Sequence, residues 1–273
     1  MRAPRFVWMA LLLGAPASAQ DLDLSRVTIV DLTHAFNEQT VYWPTAPSTF
    51  TLERQAWGET PGGYFYSSFS LCTPEHGGTH LDAPLHFAAD ARSTADVPLD
   101  QLIGPAVVID IRSKAEKDRN YRLSVEDIEA FERVNGKIEP GTIVLVRSGW
   151  SRFWPDRGDY LGDETRGAQA RLSFPGIGED AARLLVEDRR AGVLGIDTAS
   201  IDHGPSTDFM AHRIAAARGV PNLENLTNLD RLPPRGAIVI ALPMKIEGGS
   251  GGPVRVAALV PRTSKPEPSN LEP

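Results

Sequence analysis

The sequence has very little cysteine, which limits what can hold the chain together. Its 273 residues include a single cysteine, Cys72, so no disulfide bond can form within the chain. Nothing in the neighbouring sequence indicates a lowered thiol pKa, and we therefore expect Cys72 to be a buried structural thiol rather than a nucleophile. Stability must come from a hydrophobic core, and a content of 41% hydrophobic residues is ordinary for a globular protein.

Basic residues are outnumbered by acidic ones. The chain contains 28 Lys and Arg against 35 Asp and Glu, which gives a formal net charge of −7. An acidic surface argues against nucleic acid or an anionic membrane as a partner. Composition therefore favours a small-molecule ligand.

The N-terminal apolar run, residues 6–13, is too short to span a bilayer. Arg2 and Arg5 precede it, and the small residues Ala-Ser-Ala follow at 17–19. A basic start, an apolar centre and an Ala-x-Ala end are typical of a secretory signal peptide. We expect residues 1–19 to be removed and the mature protein to be periplasmic or secreted.

The body of the chain shows no internal repeat, charge block or linker. We predict one domain over residues 20–261, followed at 262–273 by a proline-rich polar tail that is loose or lies on a neighbouring subunit. Runs rich in β-branched residues predict seven strands. They cover residues 27–33, 64–71, 106–111, 142–149, 192–198, 237–243 and 254–260.

Helices are fewer than strands. Ser124 is followed by acidic residues in SVEDIEAF, which predicts a capped helix starting there. A second helix is predicted within residues 177–192, where Ala181, Leu184 and Leu185 form one stripe before Gly192. Many short strands with few helices indicate an α/β or α+β fold around a mostly β core.

The stretch EHGGTHLDAPLHF, residues 75–87, concentrates polar side chains that bind metals. His76, His80 and Asp82 give the spacing H-x-x-x-H-x-D, with a further histidine at position 86. Two glycines and a proline disfavour a helix there and let the chain turn tightly, so that these side chains can converge. Two imidazoles and a carboxylate suit Zn²⁺, Mn²⁺ or Fe²⁺ and leave positions open for water and substrate. The alternative is a polar loop whose histidines only form hydrogen bonds.

A second polar cluster follows a predicted strand, where α/β enzymes place chemistry. Its members are Asp197, Ser200, Asp202, His203, Ser206, His212 and Glu224. Glu224 lies between leucines, which indicates a buried carboxylate that needs a cation or hydrogen-bond donors. Asp202, His203 and Asp208 are interpreted most simply as loop caps, whereas His212 and Glu224 are better candidates for a site.

The segment HGGTHLDAPLHF resembles the signature of the cyclase-like metal-dependent hydrolases, which include bacterial kynurenine formamidase and isatin hydrolase. The resemblance extends over most of the chain after residue 20, through residues 30–44, 104–111 and 222–261. It implies an α/β fold with a β-rich, barrel-like core and few flanking helices. It also implies a homodimer or a higher homo-oligomer.

The resemblance further implies a metal centre that holds Mn²⁺ or Zn²⁺. Matched position by position, His76, His80 and Asp82 become metal ligands. In the formamidase pattern, His212 and Glu224 bind a second metal that shares Asp82.

The remaining site residues concern the reaction and the substrate. The resemblance makes His86 the acid/base histidine and places Trp43 where the formamidases hold an aromatic residue against the substrate ring. Phe65 and Tyr66, together with Tyr64, are further candidates for gripping a flat ring.

The function expected from this family is hydrolysis of the C–N bond of an aromatic or cyclic amide by metal-activated hydroxide, with His86 moving a proton to the leaving nitrogen. The long segment 151–178 looks closer to the isatin-hydrolase branch, whose members use a single manganese, and a signal peptide does not suit a cytoplasmic formamidase. The alternatives are a periplasmic metal- or solute-binding protein and a lyase or dehydratase on the same scaffold. The glycine-rich run at 248–255 lacks the strand-glycine-helix pattern of a dinucleotide-binding dehydrogenase.

Overall fold

The computed structural model describes residues 23–163, 165 and 171–262. The predicted signal peptide and, apart from Arg262, the predicted tail lie outside these residues. No helix within the described ranges is long and apolar enough to cross a membrane.

Short strands dominate the described chain. They are β1 (Val27–Asp31), β2 (Thr51–Glu59), β3 (Phe65–Cys72), β4 (His80–Asp82), β5 (Ile103–Asp110), β6 (Arg122–Leu123), β7 (Ile143–Arg147), β8 (Gly176–Ile177), β9 (Val193–Ile196), β10 (Asn222–Glu224), β11 (Arg235–Pro243) and β12 (Gly251–Pro261). The α-helices are α1 (Leu99–Leu102), α2 (Arg112–Ala115), α3 (Val125–Asn135), α4 (Arg157–Leu161), α5 (Glu179–Arg183) and α6 (Met210–Ala217).

Seven strands close into a mixed barrel in the order β12, β11, β5, β7, β9, β10 and β4, with β4 pairing back to β12. The run β5, β7, β9 and β10 is parallel, and the other pairs are antiparallel. Strand β1 pairs with β12 outside the ring, and β2 and β3 form a separate hairpin. All seven predicted strands are present with slightly shifted ends, and the predicted β-rich, barrel-like α/β fold is confirmed.

Alternation along the barrel strands separates two hydrophobic cores. In β7, Ile143 and Leu145 pack inside the barrel, whereas Val144 and Val146 pack outside it against the helices. A parallel strand covered on both faces is apolar along its whole length, which is why this run reads as continuous hydrophobic sequence. Helices α3, α5 and α6 supply the outer core.

The first predicted helix forms as expected. The Ser124 side chain accepts the backbone N–H of Asp127, whose carboxylate accepts the N–H of Ser124, which completes a capping box at the start of α3. The second is shorter than predicted. Helix α5 ends at Arg183 and a single π-helical turn, Leu184–Asp188, follows. The chain then turns away because the N–H of Gly192 pairs with the carbonyl of Thr142 at the end of the barrel.

The hairpin of β2 and β3 exposes both of its faces, and this overturns the prediction for Cys72. That thiol is exposed at the end of β3, since no other element among the described residues covers the hairpin. Large apolar side chains are also exposed on this hairpin, toward its other end: Trp57 by 59% and Phe65 by 57%.

The described part of the segment 151–178 packs at the mouth of the barrel. Tyr160 and Phe174 are fully buried there against Trp150 and Val41. The indole N–H of Trp150 donates to the carbonyl of Tyr160 at 2.8 Å. This small third core therefore shapes the region in which the metal-binding loop lies.

His34 makes the stability of this fold depend on pH. Its ring stacks on Trp154 with centroids 4.2 Å apart, and its Nε2 is buried without a hydrogen-bond partner among the described residues. Burial lowers the pKa of His34 from 6.5 to about 4. As the pH falls below about 6.5, the unfolded chain takes up a proton that the folded chain refuses, so stability is lost with falling pH.

We predict that this single group removes at most about 2 kcal/mol from the free energy of unfolding between about pH 7 and about pH 5. His34→Phe keeps the stacked ring but cannot titrate. Urea unfolding of both proteins at the two pH values should show a smaller loss in the variant. Identical pH dependence in the two proteins would show that His34 does not carry this effect.

Candidate metal centre

The pairing of β4 with β10 brings the polar residues together. Glu224 lies directly opposite His80, and Leu223 lies opposite Leu81. Both leucines are fully buried inside the barrel. Because side chains alternate along a strand, His80, Asp82 and Glu224 must point to the outer face. The centre therefore lies on the outside of the barrel wall and not in its lumen.

Helix α6 covers this face and supplies His212. The Asp202 carboxylate accepts the backbone N–H groups of Ala211 and His212 at 3.0 and 3.2 Å, which satisfies free donors at the start of the helix. The same carboxylate accepts the Nδ1–H of His212 at 2.6 Å. Asp202 is thus a helix cap, as the sequence suggests, but it also orients a histidine of the centre.

A tight turn before β4 aims the first histidines. Gly78 has a φ of +58°, and a Cβ atom there would lie 2.5 Å from the ring of Phe36. The left-handed conformation and the close ring both require glycine at this position. The turn brings Nδ1 of His76 to 2.6 Å and Nε2 of His80 to 3.2 Å from Oδ1 of Asp82.

Asp82 belongs to two groups of donors. Besides the group with His76 and His80, its Oδ2 lies 3.1 Å from Nε2 of His212, which is itself 3.0 Å from Oε1 of Glu224. Each group of three could hold one metal ion, and Asp82 offers a different oxygen to each. This bridging position agrees with the roles that the family resemblance implies for all five residues.

The chemistry of the donors fits a divalent cation. Asp82 and Glu224 are 1% and 4% exposed, so two carboxylates share one buried region. Burial and the charge of Asp82 raise the pKa of Glu224. Burial opposes protonation of His80, but the Asp82 and Glu224 carboxylates raise its pKa to about 9. A proton on His80 thus balances the negative charge of the two carboxylates. A Zn²⁺ or Mn²⁺ ion would displace that proton and balance the same charge.

The second nitrogen of each histidine ring has its own partner. His80 donates its Nδ1–H to the carbonyl of Gly78 at 2.9 Å, and His212 donates to Asp202, so both present Nε2 to the centre. His76 is reversed: its Nδ1 faces Asp82 and its Nε2 lies 2.9 Å from the hydroxyl of Ser250. Partners of this kind fix the tautomer and orientation of a metal-binding histidine.

Two buried residues that sequence reasoning missed support the turn around His80. The side-chain amide of Asn225 donates to the Gly78 carbonyl at 2.7 Å, and its oxygen accepts the Tyr160 hydroxyl at 2.9 Å. The sequence signal for Asn225 was its position directly after Glu224, a predicted site residue. Tyr160 belongs to the long segment 151–178, so that segment contributes to the support of the centre.

His86 lies beside the centre without joining either ligand group. It ends the 3₁₀ turn Pro84–His86, and its ring stacks on that of His76 with centroids 3.8 Å apart. Desolvation in the cavity wall lowers the pKa of His86 to about 4, against the attraction of Asp82. A neutral imidazole at the edge of the centre can accept a proton.

The centre forms the floor of a cavity of about 350 Å³. Trp43 lines it, as predicted from the family position, and contacts Phe209 edge-on at 6.1 Å. The other apolar lining residues include Val41, Pro47, Phe87, Ala199 and Phe209.

The structure does not bring Phe65 and Tyr66 to this cavity. They lie on the exposed hairpin, 57% and 52% exposed, as does Tyr64. The aromatic walls come instead from Phe87 and Phe209, which sequence reasoning missed. Their signal was proximity in sequence, because one directly follows His86 and the other precedes His212 by three residues.

The barrel fold and the His/Asp/Glu cluster on its wall are those of a family of known proteins. The model of the Cyclase family matches residues 30–203. Isatin hydrolase of Roseibium aggregatum is 33% identical over 210 residues, which cover 73% of this chain and 77% of that protein. Kynurenine formamidase of Salinibacter ruber is 32% identical over 232 residues, with 84% and 96% covered. The chain belongs to the cyclase family, as its metal-binding motif predicted.

Solved structures show the same similarity. Isatin hydrolase A from Labrenzia aggregata, bound to benzyl benzoate, superposes with a TM-score of 0.80 at 32% identity, covering 88% of this chain and 96% of that one. An isatin hydrolase bound to the product analogue thioisatinate also gives 0.80, at 30% identity, with 87% and 94% covered. The family's curated relatives that resemble this chain are amide hydrolases, which supports a hydrolase here.

Because Asp82 contributes to both donor groups, we predict that Asp82→Asn loses metal at both. Glu224→Gln should keep at least one equivalent, since the group of His76, His80 and Asp82 stays intact and a neutral amide is a poorer ligand only for the other group. Elemental analysis after metal loading and desalting measures both. Asp90→Asn, an exposed carboxylate, is the matched control. Full metal content in Asp82→Asn would contradict the shared-ligand arrangement.

Proposed function

We propose that the protein is a metal-dependent hydrolase that cleaves the C–N bond of an aromatic amide or cyclic amide, isatin-like or N-formylkynurenine-like. The observation that carries this proposal is the juxtaposition of two donor groups sharing Asp82 with His86 in the lining of one apolar cavity. The similarity to isatin hydrolases and kynurenine formamidases supports the same reaction class.

The residues of the chain divide the reaction between them. A divalent ion in such a site, Mn²⁺ or Zn²⁺, would supply Lewis-acid activation of water and of the amide carbonyl. His76, His80 and Asp82 would hold it, while His212 and Glu224 would hold a second ion or orient water. His86 accepts a proton from the attacking water and returns it to the leaving nitrogen, so that amide and water give an amine, a carboxylate and one released proton.

The cavity favours an uncharged, flat substrate. Trp43, Phe87 and Phe209 offer apolar ring surfaces, and the described lining includes no Lys or Arg. The amino-acid portion of N-formylkynurenine carries a carboxylate that would find no Lys or Arg partner among these residues. Desolvating an unpaired charge is costly, so we favour an isatin-like cyclic amide. Isatin hydrolases are also among the similar proteins of known structure.

We also infer that the protein is exported to the periplasm or secreted. The support is the sequence alone, namely the basic, apolar and small-residue order of residues 1–19. N-terminal sequencing of the protein from the culture and periplasmic fractions tests this inference.

A second copy of the chain is the partner that we propose for the β2–β3 hairpin. Trp57, Phe65 and Phe69 form an edge-to-face aromatic cluster, with ring centroids 5.2 and 6.1 Å from that of Trp57. All three are more than 40% exposed. A contiguous apolar patch of this kind on a projecting hairpin marks an interaction site. Association with a second copy would give Phe65 and Tyr66 a buried environment that one chain does not provide.

His86 separates catalysis from metal binding alone. If it moves the proton, we predict that His86→Ala lowers kcat by about 10² to 10⁴ while the metal content stays unchanged. Turnover of isatin and of N-formylkynurenine is measured with the metal content of each sample. His203→Ala is the control, because His203 does not line the cavity.

Normal turnover of His86→Ala with metal bound would remove its role. A wild-type protein that binds metal but hydrolyses none of these amides would favour the alternative class of a metal- or solute-binding protein, or a lyase or dehydratase on this scaffold.

The hairpin proposal makes a separate prediction. Phe65→Glu places a charge in the exposed aromatic cluster, so we expect the sedimentation coefficient to fall from that of an oligomer to that of a monomer. Val134→Glu is the matched control, since Val134 is 83% exposed on α3 and lies outside the cluster. Unchanged sedimentation of Phe65→Glu, or a monomeric wild type, would overturn the hairpin interface.

A further inference from the structure

The glycine-rich loop at residues 248–252 places a serine hydroxyl behind a metal-binding histidine. The Ser250 Oγ lies 2.9 Å from Nε2 of His76 and 2.6 Å from Oε2 of Glu75. The backbone N–H of Ser250 donates to the same carboxylate oxygen at 3.1 Å. Glu75 and Ser250 are 175 positions apart, so the folded barrel alone brings them together.

The loop is shaped around these two side chains. A Cβ atom at Gly251 would lie 2.6 Å from Cε1 of His76, and one at Gly249 would lie 2.8 Å from Oε1 of Glu75. The carbonyl of Ser250 accepts the N–H of Ala83 at 2.8 Å, which joins the loop to the end of β4. The flanking glycines thus leave space for the histidine and the carboxylate on either side of the serine.

The direction of the hydrogen bonds follows from the groups involved. An ionised carboxylate only accepts, so the Ser250 hydroxyl must donate its proton to Glu75. The serine oxygen is then free to accept, and Nε2 of His76 carries the proton that it receives. Nδ1 of His76, which faces Oδ1 of Asp82 at 2.6 Å, is then the nitrogen whose lone pair would bind a metal ion shared with Asp82. Although Ser250, His76 and Asp82 are connected like a hydrolase triad, the serine proton points away from the histidine, so Ser250 is not the nucleophile.

We propose that Ser250 and Glu75 are positioning residues that fix the tautomer of His76 and increase its strength as a metal ligand. The proposal rests on the proposed function, since it assigns a role toward the same metal centre. The negative charge of Glu75, passed through the serine hydroxyl, favours electron donation from Nδ1. Partners of this kind typically change metal affinity or activity by about 10 to 100-fold.

The test measures metal affinity directly, by titrating the full-length, metal-free mature protein with Mn²⁺ or Zn²⁺ against a competing chelator. Ser250→Ala should raise the Kd for metal by about 10 to 100-fold. Glu75→Gln should raise it less, because an amide oxygen still accepts the serine proton but carries no charge. In the double variant, Glu75→Gln should add nothing to the effect of Ser250→Ala, since the path between carboxylate and histidine is already cut.

Glu247→Gln controls for the general loss of a negative charge near the loop, because Glu247 is exposed and points to no partner in the described chain. Its Kd should equal that of the wild type. A second readout is the ring N–H signal of His76 in ¹⁵N NMR of the zinc form. It should be protected at Nε2 in the wild type and in Glu75→Gln, and should be lost to solvent exchange in Ser250→Ala.

The outcomes separate this inference from the proposed function. If Ser250→Ala and Glu75→Gln bind metal as tightly as the wild type, the positioning role is overturned and the hydrolase proposal stands. Additive effects in the double variant would also overturn it, because they would show that the two residues act separately. A wild type that binds no metal would overturn both proposals. Circular dichroism would check that each variant is folded. If Ser250→Ala is unstable, Glu75→Gln still tests the proposal, because Glu75 is only half-buried.

Discussion

The carboxylate of Asp82 is the constraint on which the rest of the site depends. It is 1% exposed, and an ionised carboxylate that deep is costly unless cations or donors surround it. Burial would raise the pKa of Asp82, yet His80, His76 and His212 together hold it well below its usual value. Each oxygen faces a different set of imidazoles, so moving this one side chain would disturb both sets. The folded chain therefore needs a rigid strand at this position. Strand β4 is held on both edges, because it pairs with β10 on one side and with β12 on the other.

Barrel closure and the metal centre are consequently one structural feature. The three residues of β4 complete the ring of strands, and two of them, His80 and Asp82, are proposed ligands on the outer face. Leu81, between them, anchors the strand in the inner core. A shift of one residue in the pairing would send the ligands into the barrel and the leucine outward, at the cost of both the core and the site. The register is thus strongly specified.

Much of this arrangement could be predicted from sequence where the information is local. His76, His80 and Asp82, the predicted ligands that the structure brings together, span seven positions around a glycine turn, and long β-branched runs predicted seven of the strands. Sequence analysis did not predict strands β4 and β10, because each has only three residues and is too short to show the alternation of apolar and polar residues. The burial of Cys72 was predicted wrongly because aromatic alternation in β3 looks the same in a free hairpin as in a packed strand. Contacts such as that of Ser250 with His76 join distant positions, and no local pattern announces them.

The two donor groups are not chemically equivalent, and the difference indicates which of them the proposed reaction would use. His212, Glu224 and Asp82 form a group with two carboxylates whose side chains are all 5% exposed or less. The other group has one carboxylate and includes His76, whose side chain is 26% exposed. Closed sites hold metals structurally, whereas catalytic sites keep an open position. The ring centroid of His86 lies 3.8 Å from that of His76 but 6.1 Å from that of His212, so the proposed proton acceptor lies beside the more open group. The proposed hydrolysis would therefore take place on the His76 side, with the buried carboxylates holding the opposite side fixed.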